Sequence, residues 1–268
     1  MIVGQDSLLS KINRYTLDSW PNSCIFLGDI GCGKHTLVNF ITDKFNLLQY
    51  NLTPILNQET IEEIYERPEL RLYYIEAEKI TIRQQNMLLK LIEEPPKNVF
   101  IVIICESLSQ VLTTIKNRCQ LFEFSAYTKE LLSKFITESD CSQYILDIAS
   151  TPGQVINYQS YNIKDLIELS EKMFTKISSA SFSNTLSISN KIAFKDERDK
   201  INIELFSKIL NKTITNMITY NTTDNVYYHM FLLVQRFMSD LRAANVDKRY
   251  LFDNFLCKLW RCSRNDSH

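Results

Sequence analysis

The residues best suited to chemistry lie in the run G-D-I-G-C-G-K-H from Gly28 to His35, which holds three of the chain's five glycines. The pattern G-x-x-x-x-G-K-[ST] closes backbone N–H groups around phosphate oxygens, and its glycines allow the close approach. Lys34 can reach the terminal phosphates, and the next position normally offers a hydroxyl to Mg²⁺. That position is His35 here, so the run predicts a phosphate loop that lacks its metal ligand.

His35 cannot replace the missing hydroxyl, because a neutral imidazole is a poor ligand for Mg²⁺. Thr36 cannot replace it either, since one further residue along a helix turns the side chain by about 100°. The alternative without function is an ordinary tight strand-to-helix turn. We therefore expect a degenerate phosphate loop, with these cofactor-binding candidates and no metal: Gly28, Gly31, Gly33, Lys34, His35 and Thr36.

Strand and helix patterns alternate around this loop. Cys24–Leu27 reads as a buried strand that feeds the loop, and Lys34–Phe45 has helical apolar spacing, which is the context that the motif requires. Pro95-Pro96 ends a second amphipathic helix. The remaining predicted elements are the helix Thr81–Glu94 and the strands Leu70–Glu76, Val99–Cys105 and Gln120–Phe124. The alternation predicts an α/β fold with a mostly parallel sheet.

After Phe124 the patterns become helical, and from there on the chain holds one glycine, Gly153, and one proline, Pro152. The second half is therefore predicted to be all-helical. Basic residues near its end alternate with apolar ones, which favours the solvated face of packed helices over a nucleic-acid patch. These are Arg236, Arg242, Lys248, Arg249, Lys258, Arg261 and Arg264.

Bulk properties exclude several classes of protein. A net charge of −1 over 268 residues gives no global attraction to nucleic acid or membrane. Seven cysteines without C-x-x-C spacing suggest free thiols in a reducing compartment. No signal peptide is read at the N-terminus, and the longest apolar stretch, Val99–Cys105, is too short to span a bilayer. The expected protein is soluble and cytoplasmic and has no membrane partner.

Five motifs occur in order: Gly4-Gln5, the glycine loop, Tyr74–Lys79, the block Gln85–Pro96, and Asn117-Arg118-Cys119. Together they resemble the clamp-loader branch of the AAA+ ATPases, closely from Gly4 to about Phe124. Beyond that point the resemblance rests on Thr151–Gln154 and on helical length. It implies a RecA-like AAA+ domain over 1–125, a small helical lid over 126–166 and an all-helical collar for oligomerisation over 167–268.

The resemblance also implies what this chain has lost. Hydrolysing relatives end the strand after the loop in Asp-Glu, but Ile75 and Glu76 occupy those positions, so Glu76 is at most a vestigial catalytic carboxylate. The lid position that carries a phosphate-contacting Arg in relatives has Gln154 nearby. We expect negligible intrinsic ATPase activity, no required cofactor and only weak ATP or ADP binding. Asn46–Glu69 contains no cysteine, so the zinc module of some relatives is not expected.

Arg118 matches the arginine that clamp loaders project onto a neighbouring subunit's ATP, an arginine finger acting in trans. The alternative is a surface arginine paired with a carboxylate such as Glu123. The implied function is a non-hydrolysing subunit that helps to load a sliding clamp. Its partners would be other clamp-loader subunits of the gamma/tau and delta types, with the clamp contacted indirectly and primer-template DNA met through the complex. A hydrolysing gamma/tau- or replication factor C-like small subunit and a stand-alone adaptor remain as alternatives.

Overall fold

The computed structural model describes residues 2–177, 179–193, 201–220, 225–241 and 247–265. The chain divides into two compact units. Unit 1 comprises Met1–Phe135 and Ser150–Ile156, and unit 2 comprises Ile136–Ala149 and Asn157–His268. The boundaries expected for a lid and a collar, at 126 and 166, stay predictions.

Unit 1 contains a five-stranded parallel sheet in the order β2-β3-β4-β1-β5. Leu27 pairs with Cys105 on one side and with Glu123 on the other, so the carboxyl ends of these strands meet at one edge. The four strands predicted from the sequence are confirmed, and β2 is an addition. The strands are β1 (Ser23–Leu27), β2 (Leu48–Asn51), β3 (Arg71–Glu76), β4 (Val99–Cys105) and β5 (Gln120–Glu123).

Helices cover both faces of this sheet, and α2 has the limits predicted for it. The second predicted helix begins one residue late, because Thr81 forms a capping box with Gln84 and stands outside the helix. The helices that begin and end within the first segment of unit 1 are α1 (Asp6–Asn13), α2 (Lys34–Phe45), α3 (Gln58–Glu66), α4 (Ile82–Glu93), α5 (Thr113–Lys116) and α6 (Lys129–Leu132).

Strand β4 separates two hydrophobic clusters, one on each face of the sheet. Ile101 and Ile103 point into the first cluster, and Phe100, Val102 and Ile104 point into the second. All seven residues of β4 are buried. A continuous apolar run is what a parallel strand covered on both faces requires, and β4 ends beside the strand that leads into the glycine loop, where Cys105 pairs with Leu27.

Arg71 is the largest fully buried side chain among the described residues. Its Nη2 donates to the carbonyl oxygens of Ile64 (3.0 Å) and Arg67, at the C-terminal end of α3, and its Nη1 donates to the Tyr73 hydroxyl at 2.7 Å. Its Nε donates to the carbonyl of Glu69 at 3.1 Å. The guanidinium therefore satisfies carbonyls that the end of a helix leaves without partners, and it holds α3 on β3.

The described part of unit 2 is predominantly helical, but the prediction that it is all-helical is wrong. It contains one short parallel pair, β6 (Ile192–Ala193) with β7 (Ile201–Asn202). Among the basic residues near the C-terminus, Arg264 stacks on Trp260 and Lys248 pairs with Glu204 at 2.9 Å, whereas Arg242 lies outside the described residues. The helices are α7 (Ser142–Ile148), α8 (Pro152–Tyr158, which begins in unit 1), α9 (Ile163–Lys176), α10 (Phe182–Leu186), α11 (Ile203–Tyr220), α12 (Asn225–Leu241) and α13 (Lys248–Asn265).

No helix in the part of the chain that the structure describes is both long enough and apolar enough to cross a membrane.

Candidate functional site

The glycine loop connects β1 to α2 in the conformation that its pattern predicts. Gly31 (φ +79°) and Gly33 (φ +104°) occupy the left-handed region that favours glycine. A Cβ on Gly28 would lie 2.8 Å from Cys32 Sγ and 2.9 Å from Phe124 Cβ, so a side chain has no room there. Each of the three glycines is therefore required by the local geometry.

Lys34 turns its ammonium group back into the loop. The Nζ atom donates to the carbonyl oxygens of Gly28 and, at 3.0 Å, of Asp29. The side chain is buried, with 8% of the residue exposed. Two of the three ammonium hydrogens are thus already bonded to the loop itself, and a phosphate group would have to take those donors from backbone carbonyls.

The segment Ser150–Gly153, which we call the latch, closes on the glycine loop. The Gly153 N–H donates to the Gly31 carbonyl at 3.0 Å, and the Thr151 hydroxyl donates to the Ile30 carbonyl at 2.6 Å. The Ser150 hydroxyl donates to the Asp29 carboxylate at 3.1 Å. Sequence reasoning noted Thr151–Gln154 only through the resemblance and did not anticipate this contact.

A second side chain holds the loop from the other direction. The Tyr127 hydroxyl donates to the Cys32 carbonyl at 2.6 Å. Burial raises the pKa of Tyr127 above its usual value, which keeps the phenol protonated as a donor. Four consecutive loop residues, 29 to 32, are therefore each bonded from outside the loop.

His35 and Thr36 lie exposed in the first turn of α2. The His35 ring packs edge-to-face against Tyr74 of β3, with 5.5 Å between ring centroids. An imidazole in this position contributes an aromatic contact, and the residue that should present a hydroxyl to a metal instead covers part of the sheet.

The carboxyl end of β3 carries Ile75 and Glu76. Ile75 is fully buried in the first hydrophobic cluster. The Glu76 carboxylate forms an ion pair with Lys79 at 2.6 Å, and the Glu76 N–H donates to the Thr53 hydroxyl at 2.9 Å. The single carboxylate at the end of this strand is thus neutralised by a lysine three residues along.

Cys105 ends β4 beside the loop. Burial raises the pKa of its thiol to about 11, and the nearby Lys34 charge only partly opposes that effect. The thiol is therefore neutral at physiological pH. A neutral, buried thiol at this position has the properties of a small core residue.

Arg118 follows α5, away from the loop contacts described above. Its Nε forms an ion pair with Glu93 Oε1 at 2.9 Å, and its Nη1 donates to the Thr114 carbonyl at 2.9 Å. The carboxylate partner is thus Glu93 at the end of α4, where the sequence suggested one such as Glu123. The sequence places Glu93 in the block Gln85–Pro96, but it carries no signal that this carboxylate pairs with Arg118.

Gln85, another residue of that block, is a second connection between α4 and the segment that leads to Arg118. Its buried amide donates from Nε2 to the Gln110 carbonyl at 2.8 Å and accepts from the Leu112 N–H at 2.9 Å. The structure therefore brings the loop residues together as one site. Arg118 belongs to a separate set of contacts built on α4 and α5.

Comparisons with known proteins agree with this architecture. Residues 18–128 match the family described as DNA polymerase III, delta subunit. DNA polymerase III subunit gamma/tau of Mycoplasma pneumoniae is 25% identical over 223 residues, which cover 70% of this chain and 32% of that protein. DNA polymerase III subunit delta′ of Bacillus subtilis is 30% identical over 101 residues, which cover 37% of this chain and 29% of that protein.

A solved structure supports the same fold. The DNA polymerase III gamma subunit-related protein of Thermotoga maritima superposes with a TM-score of 0.51 at 15% identity, covering 97% of this chain and 99% of that one. The chain spans about a third of the length of the two curated relatives named above. With the parallel sheet and the glycine loop at its edge, these matches show an α/β fold of the AAA+ type whose residues 18–128 are similar to clamp-loader subunits of DNA polymerase III.

Proposed function

We propose that this chain is a non-hydrolysing clamp-loader subunit of the DNA polymerase III delta-prime type. The observation that carries the proposal is Ile75, which is fully buried at the end of β3 where hydrolysing relatives hold the metal with an Asp. His35 packs on Tyr74 at the other metal position. Phosphoryl transfer needs Mg²⁺ to neutralise the developing charge, so neither half of the metal site is available here.

The glycine loop keeps at most a weak affinity for ATP or ADP under this proposal. A phosphate must displace the Gly28 and Asp29 carbonyls from Lys34, and a nucleotide that needs room at Gly31 must also part the latch. Each of these steps subtracts from the binding free energy. No nucleotide, metal or other cofactor is needed for the role that we propose.

Arg118 is the residue that we propose acts on another subunit's ATP. Its side chain is 43% exposed, so the guanidinium can reach a partner's surface. An arginine placed against a transferring phosphoryl group stabilises transition-state charge and contributes ~10³–10⁵ in rate. The partners in this proposal are gamma/tau and delta subunits, which would assemble through the predicted collar over 167–268. The complex contacts the sliding clamp and primer-template DNA.

The test uses a clamp loader reconstituted from this chain and its cognate ATPase subunits. Arg118→Ala should lower DNA-stimulated ATP turnover, at the site that the finger serves, by about a thousandfold or more without preventing assembly. The matched control is Arg83→Ala, which removes an exposed arginine from α4 and should leave turnover near the wild-type value. Turnover that is unchanged in Arg118→Ala contradicts the proposal.

A second candidate function is a hydrolysing small subunit of the gamma/tau or replication factor C type. The observation in its favour is coverage, since the gamma/tau relative matches 70% of this chain and the delta′ relative matches 37%. Purified chain titrated with labelled ATP and Mg²⁺ separates the two candidates when binding and turnover are scored independently. Magnesium-dependent turnover that Lys34→Ala abolishes would establish the second candidate.

A further inference from the structure

We infer that Glu93 is a positioning residue for the Arg118 finger, an inference that rests on the proposed function. The contact that carries it is the ion pair between Arg118 Nε and Glu93 Oε1, at 2.9 Å. A second bond, from Nη1 to the Thr114 carbonyl at 2.9 Å, lies along the same arginine. Two acceptors on different helices therefore fix one guanidinium.

The way in which Glu93 binds leaves the reactive end of Arg118 available. A guanidinium carries five N–H donors. Glu93 forms an ion pair at Nε and Thr114 accepts one N–H of Nη1, while no described residue accepts from the other three N–H groups of Nη1 and Nη2. Those three belong to the two terminal nitrogens, which form the fork that arginine presents to phosphate oxygens. Glu93 thus orients the side chain through its inner nitrogen and does not cover the outer pair.

Arg118 needs this support because its own helix is very short. Helix α5 has four residues, Thr113–Lys116, and Arg118 lies two residues beyond its end. A free arginine side chain samples many rotamers. Ordering it only at the moment of reaction would raise the barrier, whereas a finger that is already oriented avoids that loss.

Helix α4 is a suitable support. It has twelve residues, and Leu88, Leu91 and Ile92 are buried in the sheet's first cluster. Glu93 is its last residue, so the carboxylate projects from a well-packed element. At the other end of α4, the Gln85 amide holds the backbone at Gln110 and Leu112, just before α5. Helix α4 therefore holds the segment that carries Arg118 at two points, through Glu93 and through Gln85.

The expected effect is modest because the pair lies near the surface, with side chains 43% and 46% exposed. Ion pairs of this exposure contribute little, so Glu93→Ala should lower turnover about two- to fivefold. The loss should fall on kcat with KM for ATP unchanged, since the finger acts in the transition state. Glu93→Gln keeps an oxygen acceptor at the same place and should recover part of the loss.

The experiment measures DNA-stimulated ATP turnover, at varied ATP concentration, in the reconstituted loader. The variants are Glu93→Ala, Glu93→Gln, Arg118→Ala and the double variant of Glu93→Ala with Arg118→Ala. The matched control is Glu94→Ala, which removes a neighbouring exposed carboxylate that forms no described ion pair with Arg118. Gel filtration of each complex confirms assembly, so that a loss of turnover is not a loss of complex.

The inference holds if Glu93→Ala lowers kcat, Glu94→Ala does not, and Glu93→Ala has no further effect once Arg118 is absent. It fails if Glu93→Ala leaves turnover unchanged while Arg118→Ala lowers it. It also fails if Glu93→Ala raises turnover, because Glu93 would then sequester the finger. An Arg118→Ala loader with normal turnover is a separate outcome and removes the proposed function itself.

Discussion

Replacing Gly153 by alanine tests whether the latch is closed on the glycine loop. A Cβ on Gly153 would lie 2.6 Å from Gly31 Cα and 2.9 Å from the Gly31 carbonyl oxygen. Both of those atoms belong to backbone, so no side-chain rotation can relieve the clash. The latch must move off the loop, and the bonds from Gly153 to Gly31 and from Thr151 to Ile30 must break or stretch.

Two opposing effects set the change in stability that Gly153→Ala causes. Each neutral hydrogen bond contributes about 1 kcal/mol net, so the two lost bonds destabilise unit 1 by about 2 kcal/mol. Gly153 lies in the first turn of α8, and alanine there gains up to about 1 kcal/mol in helix propensity. We expect a net destabilisation of about 1–2 kcal/mol. Without the latch contact, the same substitution would stabilise the protein by up to about 1 kcal/mol. The sign of the change in the free energy of unfolding therefore shows whether the latch contacts the loop.

The assay is urea unfolding followed by the fluorescence of Trp20, which is buried in unit 1 against Phe122. A Trp260→Phe background removes the tryptophan of unit 2 and makes the signal specific. The control is Asn157→Ala, an exposed position on α8 that shares the propensity gain but does not touch the glycine loop. An opened latch should also raise the affinity of the loop for a labelled nucleotide, by up to about 30-fold.

The reasoning is refuted if the free energy of unfolding of Gly153→Ala equals or exceeds that of the wild type while the Trp20 fluorescence spectrum of the folded protein is unchanged. A destabilised variant whose nucleotide affinity does not change would keep the latch as a structural contact. In that case the latch does not contribute to the weak nucleotide binding that we propose.

Three further predictions concern buried groups. Arg71→Ala should destabilise unit 1 by about 3–5 kcal/mol, because it leaves buried carbonyls of α3 unpaired; urea unfolding at Trp20 measures it. Gln85→Leu should speed hydrogen exchange at the Leu112 amide at least tenfold, which exchange mass spectrometry resolves, with exchange in α2 unchanged. The Cys105 pKa of about 11 means that the folded state keeps this proton, so stability falls as the pH rises from 9.0 to about 11. Cys105→Ala should remove about 3 kcal/mol of that dependence, and equal pH slopes in both proteins would contradict it.

The sequence predicts an element well where its signal is local. Lys34–Phe45 has the predicted limits because Gly33 marks its start, and Val99–Cys105 is an uninterrupted apolar run. Strand β2 was missed because it is a half-exposed edge strand, Leu48–Asn51, with alternate polar side chains. Its identity comes from pairing with β3, which no local pattern contains. Helix α3 was missed for a related reason, since only Ile61 and Ile64 of its residues are buried.

The site divides in the same way. The glycine positions follow from spacing alone, because the loop's backbone conformation requires them. The identity of the carboxylate that pairs with Arg118 does not follow from spacing, because Glu123 lies 5 residues away along the chain and Glu93 lies 25 residues away. The packing of α4 beside α5 places Glu93 at the guanidinium. The latch lies about 120 residues from the loop along the chain, and small polar residues carry no signal of which carbonyl they will meet.

Under the proposed function, the burial of Ile75 has a consequence for any attempt to give this chain ATPase activity in the laboratory. An aspartate at position 75 would enter the apolar cluster of Ile103 and Leu88, and an uncompensated carboxylate there costs several kcal/mol. Serine at position 35 would forfeit the ring contact with Tyr74. Neither change alone restores a metal site. A stepwise selection would therefore have to pass through single variants that are less stable and still inactive. The two sites would have to be randomised together, in a background stabilised elsewhere.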